Sequence, residues 1–386
     1  MIRMSQLALA AVVFGALQAC MGDGETIQEY NAHPPAIVEA VENPRLTRAQ
    51  GVSLSSFSLY CVDEWWEYTG QMYADNIVYT KGATSWSSSE PFYMSDWSAM
   101  YAYAVSPNTD LFPEKMFTLP EQSFTYTNPS GSDEQTYLKV ASSFNFTIES
   151  TSNRLSLTFN DVMFSLFFQG FSGFENADIK VKSITIHNLP GKAKFTFSKD
   201  VESWGAWQET ADNVPVYYGQ ELAEATPVTT YDFADLQNEP FVLFPIEPTP
   251  WDRNSETFQQ AKDNGHCYIE VKCQMTQEKD GKTYYLWGYE DPTNPKQYES
   301  IFYPYEQMYC TSTWEPSYNG YYYLFIDDSG CDEKGTSPIK PHPETGGDTE
   351  FKVSSQVEFM TKVKEHGGTA DEWTPASDNN TVEIKM

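Results

Sequence analysis

The chain has 386 residues, enough for two domains of ordinary size that each bury a core. Its formal charge is -30, from 24 lysines and arginines against 54 aspartates and glutamates. A surface of that sign repels nucleic acid and anionic lipid head groups, so composition argues against both as partners. Aromatic residues make up 15% of the chain, and tyrosine, tryptophan and β-branched residues favour the half-buried, pleated surface of a strand.

Residues 1–19 have the pattern of an export signal, with Arg3 in a short polar head and an apolar core over residues 7–17. That core is much shorter than the roughly 20 residues that span a bilayer as a helix. The signal ends at Leu17-Gln18-Ala19-Cys20, which resembles the lipobox of bacterial lipoproteins. In that family the peptide is cut before the cysteine and the thiol is acylated, so the resemblance implies a lipid anchor on Cys20. An ordinary secretory signal followed by an unmodified cysteine is the alternative.

Residues 21–48 carry one short apolar pattern between two polar stretches. Residues 21–30 are acidic and contain glycine, which is typical of a flexible tether. Residues 37–41 read Ile-Val-Glu-Ala-Val and predict a short strand. Residues 43–48 read Asn-Pro-Arg-Leu-Thr-Arg, a polar and proline-stiffened run of the kind that proteases cut. On the residues alone, an ordinary loop with two solvated arginines is the simpler interpretation.

Between residues 52 and 190 the chain is a series of short strand patterns. Alternation is clearest where Leu155, Leu157 and Phe159 fall on one face. Turns rich in glycine, proline and asparagine close most of the runs, and this spacing is typical of an antiparallel β-sandwich. The predicted strands are residues 52–61, 76–80, 97–105, 124–126, 154–159, 163–168 and 179–186.

A second series of strand patterns opens after residue 199. Residues 268–273 alternate and are predicted to pair with residues 283–287 across a tight turn. Beyond the signal no stretch keeps a helical period, so the sequence predicts an all-β fold. The predicted strands are residues 241–245, 268–273, 283–287, 321–326, 353–363 and 381–385.

The sequence lacks the common motifs of catalysis and of metal or phosphate binding. Cys267 and Cys273 are too far apart on one predicted strand for a single metal site, and buried cysteines are the favoured interpretation. The acidic residues within 327–333 lack the spacing of a calcium loop and predict a solvated turn. If Cys20 is acylated, the remaining five cysteines are an odd number that cannot complete a disulfide framework. We therefore expect no catalytic residue, metal or cofactor and predict that the protein is not an enzyme.

The order and spacing of several motifs resemble the fimbrillin family of Bacteroidales surface pili. The resemblance runs from Cys20 to about Trp373. Two departures from the family pattern are Asp161, near a place where the family often has histidine, and Pro245-Ile246 in place of proline-glutamine. The matching motifs are residues 100–107, 133–141, 155–159 and 179–189, Phe241-Val242-Leu243-Phe244-Pro245, and residues 314–323 beginning Trp314-Glu315-Pro316.

The resemblance implies two transthyretin-like antiparallel β-sandwiches in an exported lipoprotein. The implied divisions are a signal at 1–19, a tether with a removable strand at 20–48, an N-terminal sandwich at 49–200 and a C-terminal sandwich at 201–386. In the family a trypsin-like protease cuts after arginine and so releases the N-terminal strand. Carried onto this chain, residues 37–41 are the removed strand, Arg48 is the preferred cut, and Arg45 is second because Pro44 stiffens its approach.

In the family, a C-terminal strand of the next subunit fills the vacated groove. Two faces of this chain suit that role, and both also fit as ordinary strands of the second sandwich. One face carries Val353, Ser355, Val357 and Phe359, and the other carries Val382 and Ile384.

The resulting hypothesis is a subunit or accessory (tip or anchor) protein of a cell-surface fimbria, assembled by protease-triggered strand exchange and used in adhesion. Its expected partners are other fimbrial subunits, an arginine-specific protease and the outer membrane through the lipid anchor, with no nucleic acid. The alternative from another class is a surface glycan-binding lipoprotein, suggested by Trp65-Trp66, Trp86 and the tyrosines at 321–323. A secreted hydrolase is a third and weaker alternative.

Overall fold

The computed structural model describes residues 33–43, 53–112, 119, 121–131, 134–199, 205–279, 281–288 and 298–336. The fold is all-β with several antiparallel sheets, which confirms the prediction. The strands are β1 (Ile37–Glu42), β2 (Ser56–Asp63), β3 (Met72–Lys81), β4 (Trp86–Ser88), β5 (Met100–Ser106), β6 (Ser123–Thr127), β7 (Lys139–Phe146), β8 (Arg154–Asp161), β9 (Phe164–Ser172), β10 (Asp178–Pro190), β11 (Lys192–Phe197), β12 (Gly205–Glu209), β13 (Pro215–Val228), β14 (Ala234–Asp235), β15 (Phe241–Leu243), β16 (Tyr268–Lys279), β17 (Lys282–Trp287), β18 (Glu299–Pro304) and β19 (Asn319–Ile326). The helices are α1 (Trp66–Thr69), α2 (Ile148–Thr151) and α3 (Phe258–Asn264), and Gln307–Tyr309 forms a 3-10 turn.

The N-terminal half is built on a seven-stranded sheet in the order β1-β8-β7-β5-β2-β3-β4. Its neighbours are antiparallel except for β1 and β8, which are parallel. The ladder between β7 and β8 has two pairs, Lys139 with Asp161 and Val140 with Asn160. So short a ladder lets the sheet bend sharply, which brings its two ends together around a core.

The core inside the curled sheet is aliphatic with an aromatic centre. Phe57 is fully buried, stacks on Tyr79 with ring centroids 5.1 Å apart, and touches Trp86 and Phe159 at 5.0 and 5.1 Å. These contacts join β2, β3, β4 and β8, so the Phe57 ring stabilises the curvature of the sheet from its concave side. The edge strand β1 adds Val38 and Ala40 to the same core.

A three-stranded antiparallel sheet, β12-β11-β6, packs on the outer face of the curled sheet through a second core. Edge-to-face ring contacts dominate this layer, which is the arrangement that aromatic quadrupoles favour. Tyr103 meets Phe197 at 5.1 Å, and Phe195 meets Trp207 at 5.2 Å. The Trp207 indole donates to the Val162 carbonyl at 2.7 Å, so its polar edge is satisfied in the apolar layer.

The C-terminal half is a second pair of facing sheets around the largest core. One sheet has the order β13-β10-β16-β17, with β18 also on β16, and the other has β14-β9-β15, with β19 parallel to β9. Strands β9 and β10 therefore pair within the C-terminal half, although their residues precede position 200. The predicted division near residue 200 stays a prediction, and strand pairing crosses it.

Several local predictions can be compared with the structure. The hairpin turn between β16 and β17 lies where the sequence predicts it, but β16 is longer than predicted, and its residues 275–279, not 268–273, pair with β17. Cys267 and Cys273 are buried, as predicted, and both are free thiols. The strand predicted from residue 97 is wrong at its start, because Trp97 lies in an exposed turn and β5 begins at Met100. The solvated acidic turn is wrong for Asp327, which is buried with its carboxylate accepting from the Ser329 N–H at 2.9 Å.

Candidate functional site

The candidate site is the groove of the curled sheet that holds β1. The predicted strand at residues 37–41 is a strand in the structure and extends to Glu42. It runs parallel to β8, with Ile37 opposite Arg154 and Glu42 opposite Phe159. One complete ladder on β8 thus fixes its register.

Side chains of β1 alternate between the core and solvent, as a period of two requires. Val38 and Ala40 are buried in the curled-sheet core, whereas Ile37 and Val41 are exposed. The side chains that enter the core are therefore small. Leu155 and Leu157 of β8 lie buried in the same cluster and form part of the floor under β1.

On its other side β1 meets the opposite end of the sheet. The Trp86 indole N–H of β4 donates to the Ala40 carbonyl at 2.9 Å. The Ala36 N–H donates to the Phe92 carbonyl at 2.7 Å. Strand β1 therefore lies in the seam where the curled sheet closes, with a full ladder on one side and single hydrogen bonds on the other.

A buried charge cluster, made of Glu42, Lys139 and Asp161, closes the C-terminal end of β1. Lys139 Nζ lies 2.8 Å from Glu42 Oε1 and 3.1 Å from Asp161 Oδ1. The side chains of Lys139 and Asp161 are only 5% and 3% exposed, and that of Glu42 is 27% exposed. The Leu54 N–H donates to the same Glu42 oxygen at 2.9 Å. Two donors thus converge on one oxygen of the edge strand.

The two carboxylates of this cluster differ in their electrostatics. Burial disfavours the charge on Glu42, but the hydrogen bond and charge of Lys139 outweigh it and lower the pKa of Glu42. Burial likewise disfavours the charge on Lys139, and its two carboxylate neighbours still raise the pKa of this lysine. Burial raises the pKa of Asp161, and the charge of Lys139, 3.1 Å away, only partly offsets that effect. The Glu42–Lys139 pair is therefore the better-formed ion pair.

Polar contacts on the outer face of β1 are weaker. Arg154 and Glu39 approach to 2.5 Å, but both side chains are half exposed, and such pairs contribute little. The Asn43 side chain donates to Asn160 Oδ1 at 2.8 Å, and the Asn153 side chain donates to the Pro34 carbonyl at 2.9 Å. These bonds mark the two ends of the strand.

The residues predicted to be modified or cut do not fall in the described part of the chain. Cys20, Arg45 and Arg48 lie outside the described residues, as do both candidate donor faces. What the structure does give is the two ends of the segment that carries the arginines. The chain leaves β1 after Asn43 and is described again from Ser53, one residue before buried Leu54.

Sequence reasoning missed the charge cluster. Glu42 lies on the same inward-facing side of β1 as Val38 and Ala40. An acidic residue at such a position indicates that a buried cation lies next to it. Lys139 stands next to the buried pair Val140-Ala141, which marks it as a lysine inside a strand. Nothing local links these residues, because positions 42 and 139 meet only through the parallel pairing with β8.

The aromatic residues behind the glycan-binding alternative divide into two groups. Trp86 packs on Phe57, and Tyr322 and Tyr323 are buried, so these rings stabilise the fold. Trp65 is 52% exposed, and Tyr321 is exposed to a smaller degree.

Three exposed rings lie on two loops that buried Asp63 ties together, and we call these residues the aromatic cluster. Trp65, Tyr68 and Trp97 are 52%, 74% and 86% exposed. Trp65 and Tyr68 have ring centroids 6.1 Å apart. Asp63 accepts hydrogen bonds from the Trp65 N–H at 3.0 Å and from the Ser98 hydroxyl at 3.1 Å. This carboxylate therefore connects the loop after β2 to the loop before β5.

Within the described residues, histidine, cysteine and acidic side chains do not gather in threes that could hold a metal ion. The helices described there are all too short or too polar to cross a bilayer.

The fold is all-β, with an edge strand seated in a groove of a curled sheet, and comparison with known proteins identifies the family. The fimbrillin-like family model matches residues 55–341. The chain therefore belongs to the fimbrillin-like family, a family of fimbrial and cell-adhesion proteins. No curated protein matches the chain.

Solved structures of fimbrial proteins are similar to this chain at low sequence identity. A fimbrial protein from Bacteroides vulgatus is 12% identical, with a TM-score of 0.48, over 84% of this chain and 100% of that chain. The fimbrial anchor protein Mfa2 from Porphyromonas gingivalis is also 12% identical, with a TM-score of 0.30, over 64% of this chain and 80% of that one.

The charge cluster generates a prediction about stability. Lys139→Met leaves two neighbouring carboxylates without their cation, and we expect it to lower the free energy of unfolding by about 3 kcal/mol or more. Urea denaturation followed by tryptophan fluorescence measures the change. Lys194→Met is the matched control, because Lys194 is exposed on β11 and its loss is expected to cost less than about 0.5 kcal/mol. Equal values for the two variants would contradict the assignment.

The lowered pKa of Glu42 also predicts a pH dependence. Because the pKa in the folded state lies below the ordinary 4.5, the charge of Glu42 stabilises the fold above that pH, and this stabilisation is lost as the pH falls through the lowered value. We expect wild type to be more stable than Glu42→Gln at pH 7 and the difference to shrink below pH 4.5. Urea midpoints of both proteins between pH 3 and pH 7, as experimental conditions, measure it. A constant difference across that range would mean that the charge of Glu42 is immaterial.

Proposed function

We propose that the protein is a subunit or accessory protein of a cell-surface fimbria, and that β1 is a removable plug which a strand of another subunit replaces. The observation that carries the proposal is the position of β1. It is an edge strand whose inner face is buried in the curled-sheet core, and it sits in the seam of that sheet. An edge strand can leave without breaking the ladders between the remaining strands.

Removal of β1 would create a strong template for another strand. The backbone groups of β8 that face β1 would lose their partners, and the apolar floor around Leu155 and Leu157 would be uncovered. Each restored backbone hydrogen bond contributes about 0.5–1.5 kcal/mol net, so side chains entering the floor must supply much of the affinity. A bare groove therefore favours uptake of an extended segment with apolar residues on one face.

The arginine content of the chain supports a cut between β1 and β2. After Cys20 there are arginines at 45, 48, 154 and 253 only. Arg154 starts β8 and is paired with Ile37, so its backbone is held in a ladder. Arg45 and Arg48 lie in the segment that joins β1 to Leu54, and Arg48 is the preferred site because Pro44 stiffens the chain before Arg45. A cut there leaves β1 attached through non-covalent contacts alone.

Export and anchoring complete the proposal. Acylation of Cys20 would hold the precursor to the outer membrane, since each buried methylene contributes about 0.8 kcal/mol and two or more chains give stable anchoring. The protein would then act at the cell surface through assembly and adhesion, without substrate turnover. The partners proposed are fimbrial subunits and an arginine-specific protease.

The test is controlled proteolysis of the full chain. We expect an arginine-specific protease to cut at Arg48 or Arg45 and the product to form ladders of SDS-resistant oligomers on a gel, with the new N-terminus read by mass spectrometry. Arg45→Ala with Arg48→Ala should keep the fold and block both the cut and the ladders.

Arg253→Ala is the matched control for this experiment and should behave as wild type. A product that is cut at Arg48 yet stays monomeric at every concentration tested would count against strand exchange.

Glycan binding at the aromatic cluster is a second candidate function. The favouring observation is that Trp65, Tyr68 and Trp97 expose ring surface on loops that buried Asp63 holds together. Aromatic faces stack on the apolar faces of sugar rings, and a rigid mount lowers the cost of ordering them. Such a site is compatible with a fimbrial role, because adhesion needs a receptor.

Glycan-array binding by the uncut protein tests this candidate. We expect Trp97→Ala to weaken binding to any captured glycan by up to about tenfold, since ring stacking contributes roughly 0.5–1.5 kcal/mol. Tyr318→Ala removes an exposed ring elsewhere, before β19, and should leave binding unchanged. Equal affinity of Trp97→Ala and wild type would exclude the cluster as the sugar site.

A further inference from the structure

The polar end of the β1 groove is built to receive an oxygen acceptor. Lys139 Nζ and the Leu54 N–H both donate to Glu42 Oε1, at 2.8 and 2.9 Å. Neither donor belongs to β1, so both stay with the body of the protein if β1 leaves. We call this pair of donors the acceptor socket.

An empty acceptor socket is costly. Lys139 is almost fully buried and keeps its ion pair with Asp161 at 3.1 Å, but its shorter contact, the one at 2.8 Å, is left without an acceptor. A buried ammonium that loses its main acceptor has few ways to recover the lost solvation. Exposed Lys81 adds positive potential at Glu42, and Asp161 repels a second carboxylate, so the preference for an acid here comes from the direct contacts with Lys139 and the Leu54 N–H.

The inner face of β1 also sets the spacing between apolar side chains and the acidic side chain. Val38, Ala40 and Glu42 lie at alternate positions on the inner face of β1, in the order apolar, small, acid. A slip by one residue turns the whole set to the other face. A slip by two places an apolar side chain against the acceptor socket. The socket therefore fixes the register of any strand that enters the groove.

We infer that the strand which replaces β1 carries a carboxylate at the position of Glu42, two and four residues after small or apolar side chains, and that the occupant is the segment Thr361-Lys362-Val363-Lys364-Glu365 of a second copy of this chain. This rests on the proposed strand exchange. Residues 361–365 continue the inward face proposed from Val353 to Phe359 and end it with Glu365. In the other candidate face, Val382 and Ile384 are followed two residues later by Met386, so no acidic side chain occupies the position that corresponds to Glu42.

Peptide exchange on the full chain, cut by an arginine-specific protease, tests the inference. The probe is a fluorescent peptide of residues 35–43, whose binding is read by anisotropy, with unlabelled peptides as competitors. We expect Glu42→Ala in this peptide to weaken binding at least about tenfold, because hydrogen bonds to charged groups contribute roughly 1.5–3 kcal/mol. Glu39→Ala is the matched control: it removes an acid from the exposed face and should change binding less than about threefold.

Two further comparisons identify the occupant and the socket. A peptide of residues 357–366 should compete and should lose at least about tenfold on Glu365→Ala, whereas a peptide of residues 378–386 should compete more weakly. On a Lys139→Gln protein, the preference for Glu42 over its alanine variant should fall below about threefold.

The outcomes separate the two proposals. If the unsubstituted peptide of residues 35–43 fails to exchange with β1 in the cut protein, the strand-exchange function fails. If it exchanges but Glu42→Ala binds equally well, only the acceptor socket is overturned. Stronger competition by residues 378–386 than by residues 357–366 would overturn the assigned occupant.

Discussion

A sheet that curls around a core has a seam, and the rest of the N-terminal half depends on how that seam is closed. Here the closing piece is β1, which pairs along β8 and receives the Trp86 indole from β4. The inner side chains of β1 complete the core that Phe57 and Phe159 begin. Because it binds at an edge, β1 stabilises the curl without being a scaffold for any other strand. That combination is what makes a strand both important and replaceable.

Side-chain hydrogen bonds connect the two halves of the chain, and one of them reaches the charge cluster. The Ser317 hydroxyl, from the loop before β19, donates to the Asp161 carbonyl at 2.5 Å. The Asn128 side chain donates to the Val242 carbonyl at 2.7 Å and to the Tyr218 hydroxyl at 3.2 Å. The strand end that carries the charge cluster is thus held from both halves. A rigid wall of this kind lets the groove keep its shape while its occupant changes.

Much of the fold could be predicted from local pattern, and the candidate site could be predicted only in part. Alternation in residues 37–41 and 154–159 predicts two strands, and both are present. Their parallel pairing could not be predicted, because it joins segments more than a hundred positions apart and leaves no local trace. The role of Lys139 was missed for the same reason, since its partner comes from the other end of that pairing. For Trp86 the sequence suggested a function where the structure shows packing. An aromatic residue in a polar run suggested a ligand-binding surface, yet its ring packs on Phe57.

The position of β1 along the chain has a consequence for where the protein ends up. The proposed lipid site, Cys20, precedes β1, and the proposed cut follows it, so the membrane anchor and the plug belong to one fragment. After the cut, the body would stay at the membrane for as long as β1 remained seated in the groove. Departure from the membrane and opening of the groove would then be a single event. A copy that escaped the cut would keep its anchor and its plug together, and would suit the fixed base of a fibre better than its growing length.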